Sequence, residues 1–301
     1  MEYVRGYTPQ PGRGRLYKQA IIVTLVGNIV LVISKGLVAY LSGSVALYAD
    51  TANSASDVLY SLLMVLGLWM SQRPPDMSHP QGHGRYEPLV GLIVGLSMGF
   101  AGYEAARASI ERFIAGGMAV EPGLPTLVLV FSAAVKAGMY YFIRRIAEQL
   151  RSPALSATAR DNLSDVLTSS AAFIGAFGSK FFHPLTDPIA GMAVAIWIFR
   201  NAFRALKENL YYITGGSAPV ELRDKITQIA ANTPGVLGVH HIMTEYTGPT
   251  LVVDMHINVD GKITLNEAHA IEDKVSEQIE ALPEIDRAYV HVEPLGWKGT
   301  R

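Results

Sequence analysis

Six stretches of about twenty or more mostly apolar residues fill the first two thirds of this 301-residue chain. They run Leu16–Leu41, Val45–Ser71, Tyr86–Ile114, Pro125–Ala147, Ala154–Phe182 and Pro188–Ile213. A helix needs about 20 such residues to cross a hydrocarbon core of ~30 Å. Pro74-Pro75, Gly116-Gly117, Pro122, Pro153 and Pro184 punctuate the gaps, where helix breakers belong. After Gly215-Gly216 the periodicity changes. Pro219–Asn232 predicts an amphipathic helix, Gly235–Tyr246 and Thr250–Val259 two strands around Thr247-Gly248-Pro249, Leu265–Leu282 a helix and Arg287–Val292 a strand. The pattern therefore predicts an all-α, six-helix transmembrane domain over residues 1–213. An α+β domain follows over 214–301, in the order α-β-β-α-β, with its helices on one sheet face.

Composition agrees with the apolar pattern. Half the residues are hydrophobic and 17% are charged, against about 25% in ordinary soluble domains. A net charge of −1 gives no basic field for nucleic acid. The balance hides an asymmetry: 18 basic and 13 acidic residues precede Thr214, and 7 basic and 13 acidic follow it. With 0 cysteines, disulfides, thiolate metal clusters and cysteine nucleophiles are excluded. Lys and Arg cluster in the N-terminal arm (Arg5, Arg13, Arg15, Lys18), the second-to-third loop (Arg73, Arg85) and the fourth-to-fifth loop (Arg144, Arg145, Arg151). The first loop has none and the third only Arg112 near its edge, so both termini are expected in the cytoplasm. The N-terminal arm has no short apolar core with a cleavage site, so a removable signal peptide is not expected.

The chemistry sits inside the apolar runs. Asn53 and Asp57 in the second stretch are at i and i+4 and share a helix face, with Asp50 a turn away; Asp161 and Asp165 repeat the spacing in the fifth. Each Asp at bilayer depth costs about 2.5–3.5 kcal/mol, and facing carboxylates also repel one another. A bound divalent cation relieves both terms, and two such pairs on facing helices supply four oxygen ligands, a tetrahedral set. The alternative is that the carboxylates simply pair with intramembrane Lys35, Lys136 or Arg160. Asp50 either caps its helix, orients a ligand or lines the approach.

Taken in order along the six stretches, Gly43-Ser44-Val45-Ala46-Leu47, Asn53-x-x-x-Asp57, His79-Pro80-Gln81-Gly82-His83-Gly84-Arg85, Asp161-Asn162-x-Ser164-Asp165 and the C-terminal α-β-β-α-β module resemble the cation diffusion facilitator family. The resemblance covers nearly the whole chain. It implies a homodimeric exporter in the lipid bilayer that moves divalent metal out of the cytosol in exchange for protons by alternating access. It also implies a ferredoxin- or metallochaperone-like cytoplasmic domain for metal sensing and dimerisation, and no organic cofactor. The transport tetrad falls on Asn53, Asp57, Asp161 and Asp165. Zinc-type members commonly have His or Asp at the first position and His at the third, and this chain has neither histidine. All-oxygen ligands suit Mn²⁺ better than imidazole does, so Mn²⁺ or Fe²⁺ is the expected substrate, with Zn²⁺ (or Co²⁺ or Cd²⁺) the alternative. A multi-pass protein of a prokaryotic inner membrane is expected.

Five of the 8 histidines follow Thr214. The resemblance carries a cytoplasmic metal site onto His240, His256, His269, His291 and Glu293, with Glu293 where the family often has Asp. His291 and Glu293 are two apart and share a sheet face; His241 is expected to point away from His240. Asp76, His79 and His83, in a loop rich in Pro and Gly, match a further metal position of some members, or are there simply for solvation. His183, beside Pro184, reads as a loop residue. A metal-gated channel is the competing class. An enzyme is not expected, because no nucleophile–base pair, phosphate loop or cofactor fingerprint is present.

Overall fold

The computed structural model describes residues 12–42, 45–116, 124–181 and 183–296. The chain divides into two compact units, Met1–Leu210 and Tyr211–Arg301. The first holds six long helices: α1 (Arg13–Ser42), α2 (Val45–Ser71), α3 (Tyr86–Ile114), α4 (Leu124–Leu150), α5 (Pro153–Phe181) and α6 (from Thr186, ending at Ile213). Each predicted stretch is thus a helix. Among the described residues five of them are long and apolar enough to cross a membrane. The other is α5, which matches α3 in length at 29 residues but carries Arg160, Asp161 and Asp165 in its first half.

The helices are turned inside out relative to a water-soluble bundle. Ile22, Val26, Ile33 and Leu37 of α1 and Ile189, Ile196 and Phe203 of α6 face outwards. Polar side chains instead are buried: Thr24, Asn28 and Lys35 on α1, Ser54 and Ser61 on α2, Ser132 and Lys136 on α4, Thr158, Asn162 and Ser164 on α5. Exposed apolar faces of this extent belong in lipid, where a helix satisfies its own backbone and the polar side chains must find partners within the bundle. Helix α4 lies along α5 and α1, α2 along α1 and α3, and α3 along α5. Helix α3 approaches α6 so closely that a Cβ at Gly91 would clash with the Asn209 side chain, and one at Gly95 would lie 3.0 Å from Leu206 Cδ2. Glycines four apart let two backbones meet.

The second unit contains α7 (Val220–Ala231), β1 (Gly238–Tyr246), β2 (Leu251–Val259), α8 (Leu265–Glu280) and β3 (Ile285–Pro294). The sheet order is β1-β2-β3, with β1 antiparallel and β3 parallel to β2. A parallel neighbour requires a crossover, and α8 provides it. Alternation along β2 decides the faces. Leu251, Val253, Met255, Ile257 and Val259 are buried with Ile226 and Ala230 of α7 and Val275 and Ile279 of α8, while Val252, Asp254, His256 and Asn258 point to the other face. Each large apolar side chain so buried contributes about 1.5–3 kcal/mol. Strand β1 begins later than its sequence pattern suggests, because Val236 closes a turn on the Thr233 carbonyl and Gly235 sits at φ 98°. Strand β3 begins two residues earlier, because Ile285 fills the core. Thr264 and Glu267 cap α8 reciprocally: the Thr264 N–H donates to Glu267 Oε2 at 2.8 Å, and the Glu267 N–H to Thr264 Oγ1 at 3.3 Å.

Gly91→Val should lower the stability of the purified chain by about 1–3 kcal/mol through overpacking of α3 on α6. Gly138→Ala, whose Cβ meets nothing within 4 Å, should be neutral or gain up to about 1 kcal/mol from helix propensity. Thermal melts in detergent compare the two; equal shifts would contradict the tight α3–α6 approach.

Candidate metal sites

The transmembrane site is built on three helices. Asp57 of α2 and Asp161 of α5 line one interior cavity with Thr24, Asn28, Ser61 and Thr158. Asp165, one turn beyond Asp161, meets Asp57 through Lys136 of α4. The Lys136 ammonium lies 2.6 Å from Asp165 Oδ2 and 3.0 Å from Asp57 Oδ2, on a side chain only 5% exposed. Asp161 interacts electrostatically with Asp165, Asp57 and Lys136. Pairing with an intramembrane base is therefore observed at Lys136. Of the other two candidates, Lys35 donates to Ser54 Oγ at 3.0 Å while its charge also acts on Asp57, and Arg160 pairs with Glu208 of α6. Asn28 donates to Ser61 Oγ at 2.8 Å, and Ser61 to the Asp57 carbonyl at 2.7 Å, which fixes α1 against the Asp57 turn of α2. The backbone at Asp50 and Asn53 is helical, which keeps Asn53 one turn before Asp57; their side chains lie outside the described residues. Each ammonium–carboxylate contact at about 3 Å is worth on the order of 5 kcal/mol at an effective dielectric of about 20. Desolvation costs several kcal/mol per ion, so the two terms are of similar size. The result is a cation site made of hard oxygen donors.

The loop between α2 and α3 brings its three predicted residues together. Asp76 Oδ1 lies 3.5 Å from His79 Nδ1, and Asp76 Oδ2 3.4 Å from His83 Nε2. The two rings are 4.5 Å apart and Tyr86 stacks on His83. His83 is buried, with Nδ1 3.1 Å from the Pro74 carbonyl. That contact leaves Nε2 facing the carboxylate, a common arrangement for a metal-ligating imidazole. The backbone N–H of His79, followed by that of Ser78, holds the Asp76 carboxyl below its ordinary range.

In the second unit the candidate site lies on the sheet face that the helices leave open. Glu293 of β3 is its centre. His240 Nε2 is 3.2 Å from Glu293 Oε2, and His256 Nδ1 and His291 Nε2 are 3.4 and 3.5 Å from Oε1. His240 Nδ1 contacts Asn258 Oδ1 at 3.1 Å, which steers its Nε2 to the carboxylate. Ligand atoms of His240, His256 and Glu293 lie within 4.8 Å of one another. His269 does not join them. It sits exposed on α8, whose apolar face covers the opposite side of the sheet, and its Nδ1 is 3.0 Å from Glu272 with Asp273 nearby. The Glu272 hydrogen bond, followed by the Asp273 charge, raises the His269 pKa.

His241 departs from its expected orientation. The β1–β2 register slips between Val239 and His241, so β1 bulges at His240. Two residues of a bulged strand oppose one on its partner, and the His241 ring stands 4.8 Å from that of His256, with the His291 ring 5.0 Å beyond. Strict alternation cannot foresee this. The His-His pair at the start of a strand was the available signal. A further pair had no motif at all: buried Glu87 accepts from Tyr17 Oη at 2.6 Å, joining the starts of α1 and α3.

Residues 21–214 match the family model described as the cation efflux transmembrane domain, and residues 218–295 the one described as the cation efflux protein cytoplasmic domain. An uncharacterised transporter of Methanocaldococcus jannaschii is 35% identical over 279 residues, covering 93% of this chain and 99% of its own. The magnetosome protein MamM of Paramagnetospirillum magneticum is 32% identical over 263 residues (83% of this chain, 79% of its own). The manganese efflux system protein MneS of Bacillus subtilis is 28% identical over 279 residues (92% and 95%). With both of its domains matched, the chain belongs to the cation efflux, or cation diffusion facilitator, family and is an integral multi-pass membrane transporter of divalent metal cations, not an enzyme.

Proposed function

We propose that this transporter exports Mn²⁺ or Fe²⁺ from the cytosol in exchange for protons, with Asn53, Asp57, Asp161 and Asp165 as the transport ligands. The observation that carries this reading is the meeting of Asp57 and Asp165 on one cation-sized point between α2, α4 and α5, beside the cavity that Asp57 shares with Asp161. No histidine occurs on α2 or α5, so the donors are oxygens, which suit Mn²⁺. The manganese efflux protein among the relatives supports the same metal. Exporting a divalent ion against an inside-negative potential of about 100 mV costs roughly 4.6 kcal/mol, and each entering proton returns about 2.3. Asn53 cannot take a proton, so the three aspartates carry it.

The protein works as a homodimer in a prokaryotic inner membrane, with both termini in the cytoplasm. Residues 214–301 serve as its metal-sensing and dimerising domain. At about −6 per copy, two such domains repel at short range. Metal held by Glu293 and its histidines reduces that repulsion, and Asp76, His79 and His83 provide a second cytosolic metal site.

Asp57→Ala or Asp165→Ala should abolish saturable Mn²⁺ uptake into inside-out vesicles while the protein stays folded. Wild-type rates in either variant would defeat the site assignment, and flux that neither saturates nor responds to an imposed pH gradient would favour a channel.

Asp161→His combined with Asn53→His should raise the Zn²⁺-to-Mn²⁺ transport ratio, measured side by side in the same vesicles. An unmoved ratio would place selectivity outside the tetrad.

Glu293→Ala should shrink the melting shift that Mn²⁺ or Zn²⁺ gives the full chain. His269→Ala should leave most of it, since His269 sits away from the Glu293 cluster. The reverse ranking would move the site onto α8.

A further inference from the structure

We propose that Lys136 is a tethered competitor for the transported metal, an ammonium that contends with the divalent ion for the same two carboxylate oxygens. The proposal rests on the reading of Asp57 and Asp165 as transport ligands. Three features of the geometry carry it. Lys136 approaches the site from α4, a helix that supplies none of the four ligands, so its presence there is not a by-product of the ligand spacing. Its ammonium contacts one oxygen from each of the two ligand-bearing helices, Asp57 Oδ2 on α2 and Asp165 Oδ2 on α5, at 3.0 and 2.6 Å. Its side chain is buried, with these carboxylates as its charged contacts and the charge of Asp161 acting on it as well.

Charge decides what the lysine does there. Asp57 and Asp165 touch the Lys136 ammonium, the charge of Asp161 acts on it and that of Lys35 acts on Asp57, so a divalent ion entering here is drawn to carboxylates that already attract a cation. A metal taking the same two Oδ2 atoms at about 2.1 Å would lie within about 4 Å of an ammonium held at 2.6–3.0 Å, and the two cations would repel strongly at a site with few competing charges. Entry of the metal therefore requires the lysine to move off at least one carboxylate. Its flexible four-carbon stem permits that motion, and its return favours release. Because the competitor is covalently attached, its effective concentration at the site is high and constant. It lowers metal affinity at every cytosolic metal level and speeds the step that empties the site. Lys136 in this account trades affinity for turnover.

Lys136→Met removes the charge at similar length, and Lys136→Gln removes it while keeping a hydrogen-bond donor, in case the methionine variant does not fold. Lys136→Arg keeps the charge. The experiment measures Mn²⁺ binding to the purified full chain by calorimetry, and KM and Vmax for Mn²⁺ in proteoliposomes, with Asp57→Ala in parallel. Either neutral variant should bind Mn²⁺ about tenfold or more tightly, with a lower KM and a lower Vmax, and Lys136→Arg should return both values towards wild type. Unchanged or weakened Mn²⁺ binding in the folded neutral variant would overturn the proposal, since a lysine that only braces the helices cannot raise affinity when removed. Wild-type binding and transport in Asp57→Ala would instead overturn the ligand assignment on which it rests.

Discussion

Carboxylates held at membrane depth must be matched by positive charge, and the architecture of the first unit follows from that constraint. Asp57, Asp161 and Asp165 stand on α2 and α5, and no bilayer solvates them. Each unpaired carboxylate would cost several kcal/mol, comparable with the whole stability of a domain. The bundle responds by turning polar side chains inwards. Asn28 and Ser61 fix α1 against the Asp57 turn, Lys136 brings α4 to both carboxylate helices, and glycine contacts draw α6 onto α3. The outer faces are then free to carry large apolar side chains such as Ile33, Leu37, Ile196 and Phe203. A cation at the centre is thus part of the packing problem as much as of the transport cycle.

The second unit solves a different problem with a sheet that is apolar on one face only. Helices α7 and α8 bury the odd-numbered residues of β2, and the even-numbered ones turn towards water. Parallel pairing of β2 with β3 puts His256 beside His291 and Asn258 beside Glu293, and the β1 bulge brings both His240 and His241 to the same face. A metal-ligand cluster arises here from register alone. No side chain need be buried at a penalty to make it.

Much of this was readable from the chain because long apolar periodicity is a strong signal. All six helices and the α-β-β-α-β order follow from it, with ends displaced by a few residues where turns or core residues intervene, as at Val236 and Ile285. The i,i+4 pairs placed the aspartates on single helix faces in advance. What could not be read was partnership across elements. Lys35, Lys136 and Arg160 look alike as bases within apolar runs, yet only the packing of α4 against α5 puts Lys136 between two carboxylates, while Arg160 turns to Glu208. His241 was misplaced because a bulge breaks the two-residue period. His269 was assigned by family likeness, and the geometry of a single chain leaves it on the far side of the sheet, paired with Glu272. Among the described residues helix α5 does not register as a span by composition, since Arg160, Asp161 and Asp165 lower the hydropathy of its first half.

The two candidate metal sites are opposite in their arithmetic, and the surrounding medium explains why. In the membrane one ammonium serves two carboxylates; on the open sheet face one carboxylate serves three imidazoles. Water around Glu293 screens any imbalance of charge there. Between α2, α4 and α5 the Lys136 ammonium is buried against two carboxylates, so a change in occupancy there calls for a compensating movement of charge. A site that binds tightly and cannot rebalance would hold its metal. A transport site must rebalance on each cycle, and a movable lysine beside ionisable carboxylates gives it two ways to do so.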